Sequence, residues 1–456
     1  MLLIWFYHKG VKYLFYLNRE TELTAELLQK MLNRFNIEVL PQLVKYKNYY
    51  DGKQKILSKR YADADKPCSH TVINYCRAIA DAYCGYMATP EHITYTSKND
   101  ISEIMEILRY NDYNAQDADF LRNALIYGVS AELMFIDAES KTRFRTINPT
   151  QCFGVYDDTL TGDLMYFVRF YKRDEWENTD IYNVDVYSNN SIKHYTMSGV
   201  SGLPTFVEEE QHYFSQCPAN VFYLPDGKSI YDCVIGLQDA ANEILSSEID
   251  EFSQFADAYL VLTGVDAEKD DIQTMKENRV IVLPPDGAAA QWLTKAANDS
   301  QVENILKRIH DSIYRIANCV DYSSETLMNG VSSGIAIRYK MSGQENRAGT
   351  IEAPMKKALQ RRVEIICGIA SLKLGEEVYR DINIEFKRNI PEDVAATINL
   401  INSLKGTVSD ATLLTQLDFI PDVAAELEAV QAQKQANMDL YSFGGNSSSE
   451  TEDNEE

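Results

Sequence analysis

The sequence predicts an α+β protein in which a block of short β-strands interrupts a chain of long helices. Apolar residues recur every three or four positions over most of the chain, and this period changes to two between Ala131 and Tyr223. The chain has 456 residues, enough for about three domains of roughly 150 residues each. Its composition, 45% apolar and 11% aromatic, supplies a packed core and excludes a chain that is disordered throughout.

The N-terminal part is predicted to be helical. Thr24 is a candidate N-cap for a first helix that Pro41 disturbs, and the turn at 49–52 closes it. Gly128 is expected to end the fourth helix. The four predicted helices are Thr21 to about Asn48, about Ser69–Met87, Asp100–Arg109 and Asn114–Tyr127.

The alternating segments that follow predict an antiparallel meander of about a hundred residues, because they are short, rich in β-branched and aromatic residues, and separated by turn-forming residues. The predicted strands are Ala131–Asp137, Arg143–Ile147, Gly154–Asp157, Leu164–Tyr171, Ile181–Ser188, Ser191–Met197 and His212–Tyr223.

Beyond the meander, two helices are expected to flank a small β-rich region. The first has an apolar stripe running from Val234 to Phe255, broken by Glu248, and the second spans Asn298–Asn318. The strands expected between them are Ala258–Leu262 and Arg279–Leu283.

The C-terminal part is predicted to be mostly helical. A long helix should run from about Gly334 to Leu374, with a kink at Pro354. After it we expect a strand at Ile382–Phe386 and helices at Pro391–Leu404, Ser409–Gln416 and Pro421–Gln435. The final Tyr441–Glu456 has five carboxylates and no base, which predicts a disordered acidic tail.

No pattern in the sequence indicates catalysis, a cofactor or a metal. Gly227-Lys228-Ser229 resembles the end of a P-loop, but Phe222 stands where its first glycine would be. Gly330-Val331-Ser332-Ser333-Gly334 matches a nucleophile elbow, but no strand precedes it and no histidine follows His310. The eight cysteines include no C-x-x-C pair, and their low density favours reduced thiols over a disulfide scaffold. We therefore predict a protein without catalytic, cofactor-binding or metal-binding residues.

The charge of the chain is unevenly distributed. The net charge is −24, yet the 40 residues between Lys228 and Lys269 contain nine acids and no lysine or arginine. A solvated helix face is the simplest interpretation of such a block. The long helix is basic by contrast, which suits elements that pack side by side in neighbouring subunits. Its basic residues are Arg338, Lys340, Arg347, Lys356, Lys357, Arg361 and Arg362.

The N-terminus lacks the pattern of a signal peptide, because the polar residues His8 and Lys9 directly follow the short apolar segment Met1–Tyr7. Met1–Leu17 is interpreted either as a short amphipathic surface helix or as an extension upstream of the natural start. No apolar run reaches the length of about 18 residues that crosses a membrane. We expect a soluble, intracellular protein with no membrane partner.

The order of these elements resembles the portal proteins of long-tailed bacteriophages, particularly the branch common in phages of Gram-positive hosts. The likeness runs from about Thr24 to Gln431, and one departure is Met87-Ala88-Thr89-Pro90, where the family usually has a second glycine. The segments that carry it are Tyr49–Leu57, Val72–Asn74 with Gly85–Met87, Tyr127–Ala131, Arg145–Pro149, Ala256–Gly264, Ser332–Lys340 and Gly406–Ser409.

The resemblance implies a ring at one capsid vertex, usually of twelve subunits, with double-stranded DNA passing through it without sequence specificity. It also implies assembly in the host bacterial cytoplasm and partners in the terminase large subunit, head-completion or adaptor proteins, and the major capsid and scaffolding proteins. The implied regions are a wing at 1–229, stem helices at 230–256 and 298–319 around a clip at 257–297, a tunnel loop at 320–333, a long kinked helix with a return strand at 334–390, a crown at 391–440 and a tail at 441–456.

Three sets of residues are candidates for contact with DNA or partners. The tunnel loop would present Asp321, Ser323, Ser324, Glu325, Asn329, Ser332 and Ser333 to DNA. The acidic stem face would comprise Asp239, Glu243, Glu248, Asp250 and Glu251. The clip would dock partners through Asp266, Glu268, Lys269, Asp270, Asp271, Lys276 and Arg279.

Two other classes of protein stay open at this point. A phage minor head or scaffolding protein is one, although the β meander is unlike an extended helical scaffold. A capsid-associated enzyme, such as a protease or nuclease, is the other, and the absence of a metal-carboxylate motif and of any histidine after His310 weighs against it.

Overall fold

The computed structural model describes residues 14–61, 67–89, 92–174, 176, 180–255, 259–263, 289–293, 299–322, 334–369, 378–388, 394–414, 423 and 426–434. Contacts divide the chain into two compact units, one of Met1–Asp321 with Met341–Asn389 and one of Tyr322–Lys340 with Ile390–Glu456. The fold is α+β, as predicted. Among the described residues, no helix is long and apolar enough to cross a membrane.

The helices of the first unit are α1 (Ala25–Arg34), α2 (Leu40–Tyr50), α3 (Tyr75–Met87), α4 (Ser102–Tyr110), α5 (Tyr113–Tyr127), α6 (Ile235–Phe255), α7 (Asp299–Ile316) and most of α8 (Gly334–Cys367). The second unit contains α9 (Val394–Leu404), α10 (Asp410–Leu414) and a helix over 426–434. The predicted kink at Pro354, which lies inside α8, stays a prediction.

The predicted first helix is present but is divided by a π-helical turn at Phe35–Val39. Thr24 caps α1 as predicted, accepting the Leu27 N–H. Pro41 has no N–H to donate, and the turn before it closes with a wider bond from the Leu40 N–H to the Phe35 carbonyl. Gly128 ends α5 with a φ of +82°, a conformation in which a β-carbon would be strained.

The β region forms two sheets rather than one meander. The described strands are β1 (Phe15–Leu17), β2 (Ile93–Thr96), β3 (Val129–Ile136), β4 (Thr142–Ile147), β5 (Cys152–Asp157), β6 (Leu164–Lys172), β7 (Ile181–Tyr187), β8 (Ser191–Ser198), β9 (Thr205–Gln211), β10 (Ala219–Tyr223), β11 (Tyr259–Thr263), β12 (Ala289–Leu293) and β13 (Asn383–Phe386). One sheet has the order β1-β5-β6-β7-β8-β9 and another the order β10-β3-β4, while β11–β12 and β13–β2 are antiparallel pairs.

Two predictions need correction, and a third lies outside the described residues. The segment His212–Tyr223 is not one strand, because the chain leaves the larger sheet after β9 and re-enters the smaller one at β10. The strand that pairs with β11 is Ala289–Leu293, whereas the predicted Arg279–Leu283 lies outside the described residues. Phe15–Leu17 is not helical but pairs in parallel with β5, and Phe15 is buried.

The main core lies between α1, α2 and one face of the six-stranded sheet. Leu28, Leu32 and Phe35 from the helical side meet Val155 and Val184 of the strands, and all five are buried. The four-three spacing of the helix and the two-residue spacing of the strands thus bring their apolar faces together.

A buried charged network joins α8 to α5 and to β3 of the three-stranded sheet. The Arg362 guanidinium donates from Nε to both Glu132 oxygens at 2.9–3.0 Å and from Nη1 to Asp117, and all three side chains are buried. Tyr95 donates its hydroxyl to the second oxygen of Asp117 at 2.9 Å. Burial raises the pKa of the Asp117 carboxyl, and the adjacent Arg362 opposes that effect. Arg362 is therefore an internal residue and not part of a basic surface.

We predict that Arg362→Met lowers the free energy of unfolding by about 3–5 kcal/mol, because it leaves two buried carboxylates without their cation. Arg361→Met is the matched control, since Arg361 is only half-buried and makes a 3.3 Å bond to Gln216; we expect a loss below about 1 kcal/mol. Chemical denaturation measures both. Adding Glu132→Leu and Asp117→Leu should recover part of the loss, and equal losses in the two single variants would contradict the role of the network.

Candidate functional site

Helix α6 contains most of the acidic block that the sequence singled out, and one side of it is covered by an extended segment, residues 67–74. The polar residues Gln238, Asn242, Ser246 and Asp250 follow one another at intervals of four and therefore form a stripe along this side. All four are buried. The inner side of α6 is thus a polar stripe.

Each side chain of this stripe accepts a hydrogen bond from the backbone of the extended segment or of Tyr75, which follows it. The amide groups of every second residue donate to successive side chains of α6: Ser69 to Asp250 (2.6 Å), Thr71 to Ser246 (3.0 Å), Ile73 to Asn242 (3.0 Å) and Tyr75 to Gln238 (3.0 Å). A four-residue step in a helix rises about 6 Å, and two residues of an extended chain span about 6.6 Å, so the two repeats match. We call these four bonds the polar ladder.

The polar ladder explains why the second predicted helix begins late. The apolar spacing predicted a start near Ser69, but α3 begins at Tyr75, where the Asn74 side chain caps it by accepting the Arg77 N–H. The amides of Ser69, Thr71 and Ile73 donate to side chains of α6 instead of to carbonyls of their own helix. The Gln54 amide, itself buried, donates to Asn74 and accepts from Asn242, which closes the polar network.

Several carboxylates of the acidic block also have partners within the chain. Asp232 accepts the hydroxyl proton of Tyr46 at 2.8 Å, and Asp239 accepts that of Tyr49 at 2.8 Å. Glu243 pairs with Lys59 at 2.8 Å. Burial, together with the Asp239 carboxylate, raises the pKa of Tyr49, so its hydroxyl stays a donor at neutral pH.

Asp250 ends the ladder with a second bond. Besides the Ser69 amide, it accepts the Tyr61 hydroxyl at 3.3 Å. Burial raises its pKa while these hydrogen bonds lower it, and the net result is a pKa below the ordinary aspartate value. The carboxylate is therefore the form that the folded chain favours.

The five acidic residues predicted to form one face of the stem therefore lie on two sides of α6. Asp239, Glu243 and Asp250 lie on the side of α6 that meets residues 49–69. Because an α-helix turns by about 100° per residue, Glu248 and Glu251 lie on the opposite side. Glu248 is half-buried and lines an open groove of about 570 Å³ with Tyr75 and with Glu303, Leu306, Lys307 and His310 of α7.

Helix α7 buries its apolar stripe only at one end. Ile313 and Ala317 are buried, whereas Val302, Leu306 and Ile309 are half-buried. Ile305 and Ile316, and Phe252 near the end of α6, are exposed. Within one chain, the helix pair thus leaves much of its apolar surface uncovered.

The other predicted site residues are only partly described. Asp321 lies 3.5 Å from Nε2 of His310, at the end of the segment that follows α7. The remaining tunnel-loop residues, Ser323, Ser324, Glu325, Asn329, Ser332 and Ser333, lie outside the described residues. The seven clip residues predicted to dock partners also lie outside them: Asp266, Glu268, Lys269, Asp270, Asp271, Lys276 and Arg279.

Comparison with known proteins identifies relatives over nearly the whole chain. The family described as "Phage portal protein, SPP1 Gp6-like" matches residues 31–439. A relative named "Portal protein", from Bacillus phage SPP1, is 22% identical over 470 residues that cover 94% of this chain and 91% of the relative. The family match therefore includes every helix and strand that the structure describes except β1 and the start of α1.

We predict that Asp250→Ala accelerates hydrogen exchange of the Ser69 amide by about tenfold or more, because that amide loses its acceptor. Glu251→Ala is the matched control, one residue along and on the other side of α6, and should leave Ser69 unchanged. The protection at Ser69 should also be lost in the unsubstituted protein as the pH falls below about 3.9, through the lowered pKa of Asp250. Unchanged protection in Asp250→Ala, measured by NMR or mass spectrometry, would contradict the polar ladder.

Proposed function

This chain belongs to the SPP1 Gp6-like family of phage portal proteins, and from that premise we propose that it assembles into a ring at one capsid vertex through which genome DNA enters and leaves. The family match carries this conclusion. The portal family is one of structural proteins, and the match favours it over a scaffolding protein or a capsid-associated enzyme.

The uncovered apolar stripe of α7 supports assembly into a ring. An amphipathic helix is stable when its apolar face is buried, and one partner helix covers only part of that face here. A second copy placed beside the first can cover the rest, and a contact between two different surfaces closes into a ring when the rotation between copies allows it. We assign α6 and α7 as the stem and expect neighbouring stems to meet along Ile305, Ile316 and Phe252.

The remaining regions follow the same proposal. Residues 1–229 would form the wing, 257–297 the clip that meets the terminase and head-completion proteins, 320–333 the tunnel loop, 334–390 the long helix with its return strand, and 391–440 the crown. Twelve subunits, docking to capsid and scaffolding proteins, and assembly in the host cytoplasm belong to the proposal as well.

The side of α6 opposite the polar ladder is the side we assign to the channel. Its carboxylates, Glu248 and Glu251, would repel DNA phosphates, whereas a fixed cation would bind them and slow the passage of the duplex. The acids on the other side have partners within the chain and are not required for this role.

We predict that the purified full-length chain forms closed rings, because its stem helices need neighbours to cover their apolar faces. Native mass spectrometry at micromolar concentration measures the number of subunits directly. Ile305→Glu with Ile316→Glu should shift the population to monomers. A monomeric unsubstituted chain would count against the ring, and rings unaffected by both substitutions would count against the assigned contact.

We predict that Glu248→Lys with Glu251→Lys slows DNA packaging by about twofold or more, because each subunit then adds two cations to the channel wall. The matched control is Glu103→Lys with Glu106→Lys, the same charge change on two exposed residues of α4. Packaging is measured as DNA protected from nuclease per unit time, using variants whose rings are intact. An unchanged rate, or equal slowing by the control, would contradict the channel assignment.

A further inference from the structure

Four large apolar side chains are exposed at one end of the six-stranded sheet. Ile37, Val200, Leu203 and Phe206 are 75%, 38%, 53% and 52% exposed, and we call them the apolar patch. Ile37 lies in the π-helical turn between α1 and α2, and Val200 and Leu203 lie in the hairpin turn between β8 and β9. Phe206 lies at the start of β9. Large exposed apolar side chains grouped in this way mark interaction surfaces more often than single ones do.

Hydrogen bonds hold the two segments of the patch together. Gln29 of α1 donates to the Ser201 carbonyl at 3.0 Å, and Asn36 of the π-helical turn donates to the Val200 carbonyl at 3.1 Å. The side chain of Ile37, next to Asn36, points to solvent because Phe35 and Val39 occupy the buried positions of this turn. The hairpin tip is thus fixed to the helical layer with its apolar side chains outward.

Two glycines shape the hairpin tip. Gly199 has a φ of +68°, and a β-carbon on Gly202 would lie 2.2 Å from the Ser198 carbonyl oxygen. The Gly199 amide also donates to the Asp180 carbonyl at 2.6 Å, which joins the tip to the loop between β6 and β7. That loop contains Trp176, which is 97% exposed. The local sequence therefore builds an ordered platform that presents apolar side chains to a partner.

The segments around the patch are acidic. The described residues of these segments, 34–39, 173–174, 180 and 199–211, contain six carboxylates and two arginines. One arginine, Arg34, already pairs with Glu38 at 3.1 Å. An apolar centre with an acidic surround favours a partner that combines apolar and basic side chains. The chain itself has a net charge of −24, so a second copy matches this surround poorly.

The shape of the site favours a helix over an added strand. β9 is the edge of its sheet, but it contains the consecutive acids Glu208, Glu209 and Glu210, a charge pattern that opposes pairing with a further strand. An amphipathic helix instead places apolar side chains on a surface patch at spacings of three and four.

We propose that the apolar patch docks an amphipathic helix of a different protein of the particle, apolar on one face and rich in lysine and arginine on the other. This surface is formed by residues separate from the helices assigned to the ring contact and the channel. The proposal rests on the proposed function only in one respect: it assumes that the chain is part of a particle that contains other proteins.

A photo-crosslinker tests the proposal in cells infected by the parent phage. Leu203→benzoylphenylalanine places the reactive group in the patch, and Leu160→benzoylphenylalanine is the matched control, since Leu160 is 85% exposed in the turn between β5 and β6 at the other end of the sheet. We expect a product from the Leu203 position, several-fold above the control, that joins this chain to a peptide with apolar residues at three-four spacing and lysine or arginine between them.

Three results would overturn the proposal: a product with a second copy of this chain, a product whose partner peptide is acidic, or no product above the Leu160 control. Native mass spectrometry of both variants separates failure of the docking site from failure of the proposed function. Intact rings without the expected product would reject the docking site alone, whereas loss of rings in the unsubstituted chain would reject the ring.

Discussion

Four hydrogen bonds between an extended backbone and a helix determine how α6 is held in this protein. The half-buried chain before α3 runs over α6 and pairs with no strand among the described residues, so its amides need other acceptors; a fully buried amide without one would cost roughly 1–3 kcal/mol. Gln238, Asn242, Ser246 and Asp250 supply those acceptors at the spacing that the extended chain requires. Since each rung has a different side chain, a shift by one rung would leave poorly matched partners, and the bonds therefore specify one register.

These hydrogen bonds fix which side of α6 faces the extended segment. That orientation determines which of its carboxylates lie on the opposite side. With the polar stripe turned inward, Asp239 and Glu243 meet Tyr49 and Lys59 and contribute to the fold. Glu248 and Glu251 are left on the other side. The same principle applies to α8, where buried Arg362 binds Glu132 and Asp117 and so fixes one helix against a strand and another helix. In both places buried polar groups define the position of a long helix.

Much of this fold could be predicted from the sequence, because local signals are strong in it. The Thr24 cap, the disturbance at Pro41, the end of α5 at Gly128 and six strands of the β region were predicted within a few residues. The portal family could also be inferred, since the order of elements is specific even though each motif is weak.

The rest depended on contacts between distant parts of the chain. No known motif marks the polar stripe of α6, which includes Gln238, Asn242 and Ser246. Their spacing of four residues was the only sequence signal, and the apolar stripe of the same helix was the stronger pattern. Net charge could not tell which carboxylates of the acidic block have partners, because Tyr46, Tyr49 and Lys59 lie about 190 residues away in the sequence. Likewise, the basic composition of α8 could not reveal that Arg362 is internal.

The most direct test of this account is a cryo-EM reconstruction of the assembled protein. We expect a ring with a central channel in which Glu248 and Glu251 face the opening, while Asp250 faces away from it and binds the Ser69 amide of the same subunit. A reconstruction without a central channel, or one in which Asp250 faces the opening and residues 69–75 are detached from α6, would contradict it.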